Sequence, residues 1–173
     1  VDTADALVQV ESAFGDWKGH VHERTPLPEV SRIAKARERT VVLPGKTQSD
    51  IVLGYPGPSR LEPDFLDAVV CNTILGVFGL MGRLGDKVRE AQGLAYYSYS
   101  RVDGGPGPGP WRVVAGVNPV NVERAISSIR AEIARIREEP VDAEELADNK
   151  AFITGSLPLR LETNEGVARA ILD

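Results

Sequence analysis

The apolar positions of this chain follow two rhythms, and the change between them marks out the elements. Leu7, Val10 and Phe14 recur at helical spacing within residues 4–14, and Gly15 with Asp16 ends the run, which predicts a short amphipathic helix. Residues 20–35 carry charge and two prolines, Pro26 and Pro28, without sustained periodicity, the composition of a linker. From Arg39 the rhythm becomes that of extended chain. Thr40-Val41-Val42-Leu43 stops at Pro44-Gly45, and Asp50-Ile51-Val52-Leu53-Gly54-Tyr55 stops at Pro56-Gly57-Pro58, which predicts two strands joined by a turn. Pro63 stands where a first helical residue is favoured, and the apolar run Phe65–Leu75 is long enough for a buried helix. A second helix is predicted over Met81–Ala91, with Gly93 closing it.

Leu94–Val102 is aromatic and β-favouring, while Trp111, Val113, Ala115 and Val117 alternate onto one face. An antiparallel pair is expected, joined by the run Gly104-Gly105-Pro106-Gly107-Pro108-Gly109-Pro110 as a solvent-exposed loop. Val122, Ile126, Ile129, Ile133 and Ile136 then step by four and three, with Asn118 as an N-cap and Pro119 after it. Asp142 with Glu145 opens another helix in capping-box fashion, and its apolar positions Leu146, Ile153 and Leu157 run up to Pro158. These stripes are core faces. Strands and helices come in pairs and do not alternate singly, so a doubly wound parallel sheet is disfavoured and an α+β domain, an antiparallel sheet covered by helices, is expected.

Composition narrows the chemistry. With 173 residues, 42% hydrophobic and 26% charged, the chain can bury one sizeable core. A net charge of −5 with scattered Lys and Arg lacks the footprint of a nucleic-acid binder. No apolar run reaches the roughly 18 residues that span a bilayer, and no basic region precedes an apolar signal core, so no membrane partner is expected and a soluble, cytoplasmic setting is favoured. The chain begins without methionine and stops within a helical pattern, Glu165–Asp173, as an excised fragment would. The single Cys71, among Ala68, Val69, Val70, Ile74 and Leu75, is expected to be a packed core thiol. His20 and His22 are the only histidines. They are two apart and next to Glu23, so a weak metal site can be drawn, but a linker supplies neither a third ligand nor rigidity, and solvated surface histidine is the expectation. No metal ligands are assigned. H-E-x-x-H, H-x-x-E-H, G-x-S-x-G, Walker and Cys-x-x-Cys patterns are all missing, which argues against self-sufficient hydrolysis.

The specific signal lies between Ile74 and Ser100: Ile74-Leu75-Gly76, Gly82-Arg83-Leu84, Val88-Arg89-Glu90, Gly93-Leu94-Ala95-Tyr96, then Ser98 and Ser100. This block resembles the pitrilysin/insulinase family of zinc metallopeptidases. Phe14-Gly15-Asp16-Trp17, Gln48 to Gly54 and Glu144-Glu145-Leu146 extend the resemblance, in the family's order, across nearly the whole chain. Gly82 stands where the family commonly has serine, and Ala91 where lysine often follows the glutamate.

The resemblance implies one half-unit of the LuxS/mitochondrial-processing-peptidase-like metallohydrolase fold. It divides the chain into a tail helix of a preceding half (1–18), an interhalf linker (19–38) and a C-terminal α+β domain lacking its last elements (39–173). Arg89 and Tyr96, seven apart, match a substrate-binding pair of active relatives, and no catalytic residue is carried over. Zinc is then expected in the parent enzyme, bound outside this chain. The expected partners are a peptide substrate and a catalytic half or subunit with H-x-x-E-H, in the same chain or another. A second copy of this chain is a further candidate, through the face the other half would cover. The competing expectation is a non-catalytic scaffold or enhancer subunit.

Overall fold

The computed structural model describes residues 2–19, 25–31 and 33–172. Among them, the chain forms α1 (Thr3–Phe14), β1 (Ser49–Pro56), α2 (Phe65–Gly76), α3 (Phe78–Leu84), a π-helical turn (Gly85–Glu90), β2 (Ala95–Val102), β3 (Pro110–Val117), a 3-10 turn (Pro119–Asn121), α4 (Val122–Glu138), α5 (Ala143–Gly155), α6 (Leu157–Arg160) and α7 (Asn164–Leu172). At α1, the 3-10 turn before α4, and α5, short polar side chains accept orphan backbone N–H groups. Asp2 accepts from Ala4, Asn118 from Val120, and Asp142 from both Glu144 and Glu145. Pro158 ends the periodic run of α5 by entering the first turn of α6.

The sheet has the order β1-β3-β2, and both pairings are antiparallel. The predicted alternation in β3 holds: Val113, Ala115 and Val117 are fully buried. Their face is covered by α2 and the π turn on the β2 side and by α4 on the β1 and β3 side. Leu75, Leu84, Val88, Leu94, Ala125 and Ile129 complete the core, and α5 packs behind α2. The α+β expectation is therefore borne out.

The strand expected over Thr40–Leu43 does not form. Val41, Val42 and Leu43 are exposed, and β1 takes its ladder bonds from β3 instead. A β-branched run without a paired neighbour has nothing to hold it extended. A further expectation is corrected. Cys71 lies on the exposed side of α2, although partial desolvation still pushes its thiol pKa up. The Gly/Pro loop is tied to the domain by polar bonds. Ser59 donates to the Pro106 carbonyl at 3.1 Å, the Arg60 amide donates to the Gly105 carbonyl at 3.0 Å, and Asp103 pairs with both Arg101 and Arg112.

A polar junction fixes α2 on the sheet. Asn72 accepts from the Trp111 indole at 2.9 Å, and Ser100 donates to the Asn72 carbonyl at 3.3 Å. Contact is this close because Gly76 has no side chain: a Cβ there would overlap the amide nitrogen and hydroxyl of Ser100. Gly76→Ala should therefore lower the unfolding free energy by about 1–3 kcal/mol. At Gly155, the last residue of α5, a Cβ would meet nothing within 4 Å. Gly155→Ala should leave stability unchanged or slightly raised. Urea denaturation of the two variants side by side checks both.

Candidate functional site

Arg89 and Tyr96 stand on neighbouring irregular elements. Arg89 is the penultimate residue of the π turn, where the Ala91 amide donates five residues back to the Asp86 carbonyl at 2.8 Å. Gly93, at φ +58°, reverses the chain in a conformation that side chains with a Cβ resist. Two bonds close the reversal, Gly93 amide to Arg89 carbonyl at 2.9 Å and Leu94 amide to Val88 carbonyl at 3.1 Å. The Gln92 side chain adds a third, donating to the Lys87 carbonyl at 3.0 Å while it bonds Ser128 of α4. The π turn is thereby tied to the helix layer at its C-terminal end.

Tyr96 occupies a β-bulge. Ala95 opposes Val117 and Tyr97 opposes Gly116, so Tyr96 is the extra residue with no partner on β3. The bulge resets the alternation of β2. It turns Ala95 inward with Ser98 and Ser100 and leaves Tyr96 63% exposed. An uninterrupted register, with Ala95 still opposite Val117, would put Tyr96 in the place of Tyr97, paired with Gly116. Arg89 is half-buried. The π turn packs against β2, the strand that carries Tyr96. Among the described residues, neither side chain has a hydrogen-bond or ion-pair partner. A guanidinium with spare donors and an accessible phenol are groups that can bind a peptide carbonyl.

Next to the bulge lies a polar cluster that the sequence did not reveal. The Tyr97 hydroxyl donates to Asp50 Oδ1 at 2.6 Å, and the Gln48 amide donates to the same oxygen at 2.7 Å. The Tyr97 hydrogen bond, followed by that of Gln48, holds the Asp50 carboxyl below the usual carboxylate range. The shared bond raises the Tyr97 phenol in turn. Only the strand register joins residues 47 positions apart, so spacing carried no signal for this pair.

A second unforeseen feature joins α3 to α5. Arg83 makes a two-pronged bond to Glu145, at 2.8 and 2.5 Å, beside a cleft of about 450 Å³ that Asp86, Asp142, Glu144 and Asp148 also line. Both residues lie in the motif pieces singled out above, but nothing in the sequence paired them. Among the described residues no group of three or more His, Cys, Asp or Glu is placed to hold a metal ion. His20 and His22 lie outside the described residues.

The Arg83 hydrogen bond, more than its charge, lowers the Glu145 pKa below the ordinary 4.5, against the upward pull of desolvation. A carboxylate whose folded pKa is depressed stabilises the fold above its unfolded value and loses that contribution as pH falls through the folded one. Glu145→Gln should therefore be less stable than the wild-type chain at neutral pH. The gap should shrink as pH falls below the ordinary carboxylate range, in urea denaturation followed down through that window.

Comparison with known proteins sets this geometry among relatives. A family profile described as the peptidase M16 inactive domain matches residues 1–152. An uncharacterized zinc protease of Streptomyces coelicolor is 33% identical over 167 residues, which cover 94% of this chain and 36% of that protein. A solved peptidase M16 inactive domain from Pseudomonas fluorescens matches with a TM-score of 0.61 at 28% identity, over 64% of this chain and 27% of that one. The crystal structure of a protease from Helicobacter pylori shares the fold at a TM-score of 0.81 and 21% identity, over 97% of this chain and 41% of that one. The chain thus spans 36% of the length of the Streptomyces relative.

Proposed function

The chain belongs to the peptidase M16 inactive-domain family, and from that premise we propose that it is the substrate-binding half of a zinc-dependent endopeptidase acting on peptides. Arg89 and Tyr96 are the proposed substrate contacts. The observation that carries this reading is that both side chains, without partners among the described residues, stand on two elements that pack together, one on a π turn and one on a bulge. π turns and bulges interrupt regular bonding and are frequent at functional sites.

In this role the Tyr96 hydroxyl donates to the carbonyl oxygen of the scissile bond as that oxygen gains negative charge, an interaction stronger in the transition state than in the bound substrate. The Arg89 guanidinium grips a neighbouring peptide carbonyl and holds the backbone in register. Among the described residues no donor set fits zinc, so zinc and the general base are assigned to a catalytic half or subunit bearing H-x-x-E-H. The name of the Streptomyces relative, a zinc protease, supports that assignment. We further assign residues 1–18 to the tail of that preceding half, 19–38 to the linker and 39–173 to this half. It fits that α1 buries no residue and that residues 25–31 and 33–48 contain no helix or strand.

Peptide cleavage by the full-length protein tests the reading. Arg89→Ala and Tyr96→Phe, with folding and zinc content unchanged, should each lower turnover by about tenfold or more, roughly 1.4 kcal/mol of barrier. Unchanged turnover in both would reduce this half to a structural clamp.

A further inference from the structure

Tyr96 is aimed by a bulge, and a bulge needs something to keep it from slipping. An extra residue in an antiparallel ladder is held only where the pairs beside it are fixed. On one side, Leu94 and Ala95 are buried in the core. On the other side the first regular pair is Tyr97 with Gly116, and Gly116 also pairs with Asp50 of β1. Tyr97, Gly116 and Asp50 therefore form one row across all three strands. Gly116 leaves the middle of that row bare. A Cβ on Gly116 would lie 2.5–2.7 Å from the Tyr97 ring and the Gln48 amide, so both side chains lie directly over the central strand. The Tyr97 hydroxyl crosses Gly116 to reach Asp50 Oδ1 at 2.6 Å, where Gln48 meets it at 2.7 Å.

We propose that the Tyr97–Asp50–Gln48 strap is a positioning device for Tyr96: it locks the register of β2 at the residue after the bulge and so keeps Tyr96 as the unpaired residue of that bulge. The proposal rests on the reading of Tyr96 as a substrate contact. Tyr97 and Asp50 act through Tyr96 and touch no substrate themselves. The bond is charge-assisted and short, and the bare glycine beneath the ring sets its path across the sheet. With Ala95 still opposite Val117, a one-residue slip would put Tyr96 in the place of Tyr97, paired with Gly116 and lying over the central strand, so the strap selects between two positions of one side chain.

The test uses the full-length protein with two readouts. Tyr97→Phe deletes one hydroxyl, and amide exchange at residues 95–98 should rise about tenfold while exchange in α4 stays unchanged. In peptide cleavage the same variant should lower kcat by about three- to tenfold with KM within about twofold, because the contact it misaims acts in the transition state. Asp50→Ala should reproduce both effects, and Asp50→Asn, which keeps an acceptor oxygen, should restore most of kcat. In a Tyr96→Phe background, Tyr97→Phe should cost no further turnover. Unchanged exchange at 95–98 in both Tyr97→Phe and Asp50→Ala overturns the strap, and so does an equal kcat loss in the two backgrounds. If Tyr96→Phe alone leaves turnover intact, the substrate reading fails, and exchange at 95–98 alone decides whether the strap fixes the bulge.

Discussion

Strand β3 is the member of the sheet on which the rest is assembled. It is hydrogen-bonded along both edges, to β1 and to β2, whereas those two strands share no ladder bonds with each other. Its inner face, Val113, Ala115 and Val117, is fully buried and supplies the floor on which α2, the π turn and α4 pack. Its outer face carries Gly116, and that bare position lets a side chain on one outer strand reach a side chain on the other. One strand thus serves the core through its inward residues and the site through the side chain it lacks. Period-two alternation separates these roles cleanly, since neighbouring residues cannot share a face.

The helix layer is joined to this sheet by polar bonds as well as apolar burial. Asn72 receives the Trp111 indole and meets Ser100, so the orientation of α2 is set by directional contacts that hydrophobic packing alone does not specify. The Arg83–Glu145 pair does the same between α3 and α5. Its side chains are only partly exposed, 11% and 31%, so the pair is screened less than a surface ion pair and its two-pronged geometry sets the approach of the two helices. These bonds surround the segment from α3 to β2 that carries Arg89 and Tyr96.

That segment departs from regular structure twice in seven residues. The π turn shifts the bonding by one residue before Gly93, and the bulge inserts one residue after it. Each shift changes which side chain faces outward, and neither is favoured by an isolated chain. Burial of Val88, Leu94 and Ala95 on one side, with Gln92 bonded to Ser128 and Tyr97 bonded to Asp50 on the other, offsets the lost regular bonds. The proposed peptide contacts and the proposed strap belong to this one arrangement.

Local rules were enough for much of the architecture. The stripe of α4, the caps at Asn118 and Asp142, the C-terminal glycine Gly93 and the alternation of β3 depend on residues within a turn or two of each other, and each was legible in the sequence. The α+β class was likewise reached from the order of elements, and the Arg89 and Tyr96 candidates from the family resemblance. What the sequence could not decide was pairing over distance. Thr40–Leu43 has the composition of a strand but gains no partner, Cys71 lies on the outer side of an apolar helix, and Arg83 meets a carboxylate 62 residues away. Whether Tyr96 is an unpaired bulge residue or the partner of Gly116 likewise depends on the register of β2. A one-residue difference in register reverses every side chain beyond it, and only the assembled sheet, with its buried face already committed, chooses between the two.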